Sequence, residues 1–141
     1  MERKAAILII DDDPDFVRAT KKVLESKPYE VLVAYDGDEG LQKTREEKPD
    51  LIILDIIMPR EDGFKVCEEI KGDPQLAKIP VIILTSLSQR WGETIFSVTQ
   101  GLMLEAEDYI DKPVTPEELL KRVEKRLKRI GFWERDELRR Q

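Results

Sequence analysis

The sequence predicts an α/β protein: a doubly wound, five-stranded parallel sheet built as (βα)5. Three observations carry that prediction. Short apolar runs recur at Ala5–Ile10, Leu51–Leu54 and Val81–Leu84, and runs of this kind bounded by turn signals read as strands covered on both faces. Helical patterns separate the strands through short connections, and right-handed crossovers then leave a parallel sheet with helices on both faces. The runs end in polar groups, Asp11-Asp12-Asp13, Asp55 and Thr85, where the carboxyl edge of an open α/β sheet binds ligands.

Each element can be justified in turn. Ala5–Ile10 is the first strand. Pro14 then suits the first turn of a helix, with Asp13 as N-cap. Phe16, Thr20, Val23, Leu24 and Lys27 follow helical spacing until Pro28 marks the exit. Glu30–Ala34 is a strand with β-branched Val31 and Val33, and Asp36-Gly37 turns into a polar helix anchored by Leu41 that ends near Lys48-Pro49. The central strand runs to Asp55. Asp62-Gly63 opens a helix from Phe64 to Lys71, closed by Gly72-Asp73-Pro74.

Pro80–Leu84 is a further buried strand ending at Thr85, and a helix is expected from Glu93 to Met103. Asp108–Asp111 forms a short last strand. Thr115-Pro116-Glu117-Glu118 is a capping box, and the helix behind it carries Leu119, Leu120, Val123, Leu127 and Ile130 on one face. No repeat, low-complexity segment or interdomain linker is visible. The expected organisation is one domain over 4–130 and a short C-terminal tail over 131–141.

Composition removes several chemistries. The 141 residues include no histidine, which excludes His-ligated zinc, Ser-His and Cys-His catalysis and histidine acid–base steps. The single cysteine, Cys67, cannot form an intramolecular disulfide; it shares a helical face with Phe64 and Ile70 and reads as a buried, inert thiol in a reducing cytoplasm. No stretch is apolar enough to span a bilayer, and the charged Met1–Ala5 start is unlike a signal peptide. A cytoplasmic location is expected. The net charge of −6 argues against generic nucleic-acid binding, although Glu117–Gln141 alone balances at +3.

Aligning the strands' carboxyl ends gathers Asp11, Asp12, Asp55, Thr85 and Lys112 on one edge. Three converging carboxylates repel, and a hard divalent cation such as Mg²⁺ resolves the repulsion in an all-oxygen site. Lysine offers a mobile positive charge to a phosphoryl oxygen, and threonine a hydroxyl donor. A carboxylate nucleophile, a metal, a cation and a hydroxyl are what phosphoryl transfer to an aspartate requires.

On these motifs the chain resembles the receiver domain of two-component response regulators, over Lys4 to Ile130. The residues that carry the resemblance are Ile-Leu-Ile-Ile-Asp11-Asp12-Asp13-Pro14, Leu54-Asp55-Ile56-Ile57-Met58-Pro59 with Asp62-Gly63, Leu84-Thr85-Ser86 and Asp108-Tyr109-Ile110-Asp111-Lys112-Pro113. The resemblance implies a flavodoxin-like strand order 2-1-3-4-5. It implies that Asp55 is the phosphoacceptor, that Asp12, Asp55 and the Ile57 carbonyl bind Mg²⁺ directly, and that Asp11 acts through water. Thr85 and Lys112 would hold the phosphoryl group, Tyr109 would be the aromatic switch that follows Thr85, and Lys112-Pro113 would be a cis bond. The chain departs from the family pattern at Glu105-Ala106, where a Gly-Ala pair is usual, and in a longer Thr85-to-Lys112 segment.

The expected function is a signalling receiver rather than an enzyme. It would take phosphate from a sensor histidine kinase or histidine phosphotransfer protein and change affinity for a downstream effector. No direct nucleic-acid or membrane binding is expected, and a phosphorylation-dependent homodimer is a further expected partner, since the stripe Ile95, Val98, Leu102 lies where receivers pair or dock. Three alternatives stay open. One is a Mg²⁺-dependent aspartyl phosphohydrolase, disfavoured because Ile57 stands where a second carboxylate belongs. Another is a receiver that binds partners without phosphorylation, disfavoured by the intact set of five. The third is a receiver fragment of a larger DNA-binding regulator, since no output region follows Ile130. Trp91 either plugs the core edge or lids the site, Phe132-Trp133 either covers the end of the last helix or meets a partner, and the basic run Lys121–Arg129 reads as a solvated face.

Overall fold

The computed structural model describes residues 3–56, 58, 63–85 (Thr85 by its backbone) and 105–133. Chain order is β1 Ala5–Ile10, α1 Pro14–Glu25, β2 Tyr29–Ala34, α2 Gly37–Glu47, β3 Leu51–Leu54, α3 Gly63–Gly72, β4 Val81–Thr85, β5 Asp108–Asp111 and α4 Pro116–Arg129. The five strands form one sheet in the order β2-β1-β3-β4-β5. Every pair is parallel. The fold class and strand order are those expected. The helix expected over Glu93–Met103 lies outside the described residues.

The two-sided sheet follows from period-two alternation in strands apolar at nearly every position. Leu8, Ile10, Ile52, Leu54, Val81 and Ile83 face one layer, with Leu41 of α2 and Val66, Cys67 and Ile70 of α3. Ala5, Ile7, Ile9, Leu51, Ile53, Ile82 and Leu84 face the other, with Val17 and Leu24 of α1 and Leu119, Val123 and Leu127 of α4. Fully burying one such aliphatic side chain is worth about 1.5–3 kcal/mol. Cys67 is buried among them, and burial pushes its thiol up to about 11, as an inert cysteine requires.

Caps fix the helix ends. Asp13 accepts from the Asp15 and Phe16 amides, Asp36 from the Glu39 amide and Thr115 from the Glu118 amide. The capping box at Thr115 is half of the expected one, because the Glu118 carboxylate accepts from Arg122 Nε at 2.8 Å. Helix α1 ends at Glu25, short of Lys27, since the Ser26 hydroxyl folds back onto the Val23 carbonyl at 2.6 Å and a residue before proline disfavours helix. β2 accordingly starts at Tyr29, directly after Pro28. Glu105-Ala106 costs no left-handed backbone: among the described residues Lys48, at the end of α2, is the one non-glycine with positive φ (45°).

The tail begins as core. Phe132 is buried with the α1–α4 layer, meets Trp133 edge to face at 5.7 Å, and carries the Arg3 guanidinium over its ring at 4.5 Å. Arg3 also reaches both Asp50 carboxylate oxygens, at 3.0 and 3.2 Å. Phe132 therefore closes the end of the last helix, one of its two expected roles.

Sequence reading missed a polar clamp below the sheet. Lys71 Nζ, on α3, donates to the Ala77 and Ile79 carbonyls and to both oxygens of Glu107, the last at 2.7 and 2.9 Å. Glu107 Oε1 in turn accepts from the Val81 amide at 2.7 Å, where β4 begins. The pair is partly buried, and removing Lys71 leaves two carbonyls and the Glu107 carboxylate without their shared donor. Lys71→Met should therefore destabilise the fold by about 2 kcal/mol in urea denaturation. A loss below about 1 kcal/mol would show that the clamp is solvated and does little for stability.

Candidate functional site

The site lies where the carboxyl ends of β1, β3 and β5 meet. The parallel register aligns Ile10 with both Ala34 and Leu54 and Thr85 with Asp111, so the residues that follow share one edge. The ladder runs one residue past the strands: the Asp11 amide donates to the Ala34 carbonyl at 3.1 Å and the Asp55 amide to the Ile10 carbonyl at 2.9 Å. Asp11 and Asp55 are thus held by backbone on adjacent strands, at 2% and 7% exposure.

The three consecutive aspartates do three different things. Asp11 points inward and accepts from the Asp13 amide at 3.0 Å. Asp12 is exposed, and Asp13 caps α1. Oxygens of Asp11, Asp12 and Asp55 all lie within 4.8 Å of one another. Burial, and secondarily the charge of Asp55, raises the Asp11 carboxyl to about 6, against the lowering by the Asp13 amide and Lys112.

Lys112 is the cation of the cluster. Its Nζ donates to Asp11 Oδ2 at 3.0 Å and stands 3.6 Å from Asp55 Oδ2. The same ammonium sits 3.8 Å from the centroid of the Phe16 ring, which serves as a floor for it. Sequence reading placed Phe16 on the core face of α1 and missed this role. No local signal marked it, because the contact is with a residue 96 positions later in the chain. The Lys112–Pro113 bond is cis, as expected.

Tyr109 is half-buried against the α2–α3 layer, and burial, helped by Asp111, raises its phenol above the usual range. Thr85 ends β4 beside Asp111, and its side chain, like Ile57, Trp91 and the Ile95, Val98, Leu102 stripe, lies outside the described residues. The basic run on α4 is divided. Lys121, Lys125, Lys128 and Arg129 are exposed, but Arg122 Nη1 binds Asp108 Oδ1 at 2.8 Å, and the buried Arg126 Nε has no hydrogen-bond partner and lies 4.0 Å from Asp108 Oδ2.

The donor set fits a small, hard divalent cation. Three carboxylates at this spacing offer only oxygen, and converging carboxylates repel unless a cation stands among them. Asp12→Ala should weaken Mg²⁺ binding about tenfold or more, because Asp12 is the solvent-accessible carboxylate of the three. Asp11→Ala should weaken it less, since Lys112 already engages that carboxylate. Calorimetry giving the parent affinity for both variants would place the metal elsewhere.

The model of the response regulator receiver domain matches residues 7–124. The chain is 37% identical over 123 residues to the alkaline phosphatase synthesis transcriptional regulatory protein PhoP of Bacillus subtilis, covering 87% of this chain and 48% of that protein. It is 42% identical over 123 residues to the DNA-binding dual master transcriptional regulator RpaA of Synechocystis, covering 87% of this chain and 49% of that one. This chain therefore spans about half the length of those regulators. Among solved structures it matches a CheY-like response regulator receiver domain protein from Methanospirillum hungatei, with a TM-score of 0.78 and 31% identity over 90% of this chain and 96% of that one.

Proposed function

The chain belongs to the response regulator receiver domain family, and from that premise we propose that Asp55 accepts a phosphoryl group in a Mg²⁺-dependent reaction. The observation that carries this reading is the Lys112 ammonium set between Asp11 and Asp55, beside the exposed Asp12. An Asp55 oxygen forms the bond to phosphorus while the bond from phosphorus to the donor breaks. The donor leaves with that electron pair. A carboxylate is already ionised, so no base is required, and with no histidine this sequence offers no phosphohistidine of its own as donor.

Asp12 and Asp55, with the Ile57 carbonyl, would hold Mg²⁺, and Asp11 would reach it through water. Bound there, the metal supplies Lewis-acid charge for the phosphoryl oxygens. Lys112 balances the charge that develops on the phosphoryl group, and the Thr85 hydroxyl donates to another of its oxygens. Thr85 and Tyr109 form the switch: phosphate favours the arrangement in which Thr85 binds it, and it shifts the populations only by that difference in affinity.

Response regulators are signalling proteins, and we assign this chain a signalling role without turnover of an outside substrate. The proposed donor is a histidine kinase or histidine phosphotransfer protein, the target is a downstream effector, and the proposed location is the cytoplasm. No described helix is long and apolar enough to cross a membrane. Coverage of about half of PhoP and RpaA favours a second, compatible reading, in which this receiver acts as part of a DNA-binding regulator. Acetyl phosphate with Mg²⁺ tests the assignment: labelling should saturate at one phosphate per chain. Continuous turnover of an aryl phosphate would instead favour a phosphohydrolase.

A further inference from the structure

Helix α3 begins and ends in glycine, and the two positions differ sharply. A Cβ built on Gly72 meets nothing within 4 Å. A Cβ on Gly63 would collide with Ile56 Cα and stand 2.7 Å from the Asp55 carbonyl oxygen and 2.8 Å from the Ile56 carbonyl carbon. These are backbone atoms, so no side-chain rotation relieves the clash. In sequence, Gly63 opens a helix and stands with Asp62 among the motifs of the resemblance, with no role of its own assigned.

We infer that Gly63 is a positioning residue for Asp55: its missing Cβ seats the first turn of α3 directly on the Asp55–Ile56 backbone. The sheet holds the acceptor from one side, through the Asp55 amide on the Ile10 carbonyl at 2.9 Å. The α3 backbone holds it from the other side, with Ile56 buried beneath. Between the two, the carboxylate is kept in reach of Lys112 and the other aspartates. A methyl at Gly63 must push either α3 or the Asp55–Ile56 segment away, and a reacting group displaced by about 1 Å loses on the order of a hundredfold in rate.

The inference rests on the reading of Asp55 as acceptor, and parent protein labelled in parallel separates the two. If the parent takes no phosphate from acetyl phosphate and Mg²⁺, the acceptor reading fails. With the parent labelled, Gly63→Ala is compared with Gly72→Ala, an open position, and with Leu76→Ala, which empties a buried site in the same apolar layer away from Asp55. The readout is the limiting labelling rate at saturating acetyl phosphate and Mg²⁺, divided by the native fraction from a denaturation curve. A purely structural role changes the native fraction and leaves this quotient alone.

Gly63→Ala should lower the quotient tenfold or more, while Gly72→Ala and Leu76→Ala stay at the parent value. A parent-like quotient for Gly63→Ala, or an equal fall for Leu76→Ala, overturns the inference. If Gly63→Ala yields no native protein, Val66→Ala takes its place, loosening the buried face of α3 one turn on. A quotient for Val66→Ala several-fold below that of Leu76→Ala then supports the inference, and equality overturns it.

Discussion

Asp55→Asn is expected to take up no phosphate from acetyl phosphate and Mg²⁺, where the parent takes up one. The substitution keeps the size of the side chain and its backbone anchor on Ile10, so the site stays built. It replaces an ionised nucleophile by a neutral amide whose oxygen is a poor one. Asp11 and Asp12 stay within reach of any phosphodonor that enters, which makes the experiment discriminating. Asp11 is tied to Lys112 and the Asp13 amide, and Asp12 is exposed to water. Asp11 shares the burial and the ammonium with Asp55, but each of its oxygens already accepts a hydrogen bond, one from the Asp13 amide and one from Lys112, while Asp12 lacks the burial. Intact-mass spectrometry should show an unshifted Asp55→Asn band under conditions that fully label the parent. Full labelling of the variant would transfer the acceptor role to another carboxylate. Stability offers an independent check: neutralising Asp55 removes a charge that helps raise the Asp11 carboxyl, so the metal-free variant should melt no lower than the parent.

The sequence made the sheet legible because its strands are apolar on both faces, and that pattern admits few alternatives. Leu51–Leu54 and Val81–Leu84 could hardly have been read otherwise. The end of each strand was legible for the same reason, since a carboxylate cannot continue a buried run. Asp11, Asp12, Asp55 and Lys112 therefore came out as neighbours, and the structure brings them together. The order of the strands was less accessible: alternation fixes parallel pairing but not which strand lies at the centre, and that step leaned on resemblance.

What stayed hidden depends on contacts between distant segments. The clamp from Lys71 to Glu107 spans 36 positions, and neither residue stands in a motif. Phe16 looked like an ordinary apolar position of α1, because its role depends on where Lys112 arrives 96 residues later. Gly63 stood in a motif as the opening of a helix, but the close approach it permits is to a backbone and has no side-chain signature. Arg122 and Arg126 looked solvated until Asp108 appeared beside them. Local pattern sets the elements and their ends, whereas the partners of long polar side chains are set by tertiary packing.

Lys112→Met should separate two properties that the parent combines. Methionine keeps an unbranched stem that can still lie on Phe16, but it removes the charge now 3.0 Å from Asp11 and 3.6 Å from Asp55. Without metal, two buried carboxylates then face each other with no cation between them, and the fold should lose about 2–3 kcal/mol. Mg²⁺ replaces part of that charge, so the melting temperature should rise more on adding the metal to the variant than to the parent. Affinity for the metal should hold or increase, since Lys112 no longer competes for the same oxygens. Phosphorylation should move in the opposite direction. In the proposed function the ammonium balances charge developing on the transferred group, and loss of one such donor costs about 10²–10³ in rate. Labelling by acetyl phosphate at saturating Mg²⁺ should fall by that factor while calorimetry shows metal binding intact. A variant that labels at the parent rate would show that Lys112 serves only to neutralise the aspartates. A variant that loses metal binding as well would show that the ammonium holds the site's shape instead of acting on the phosphoryl group.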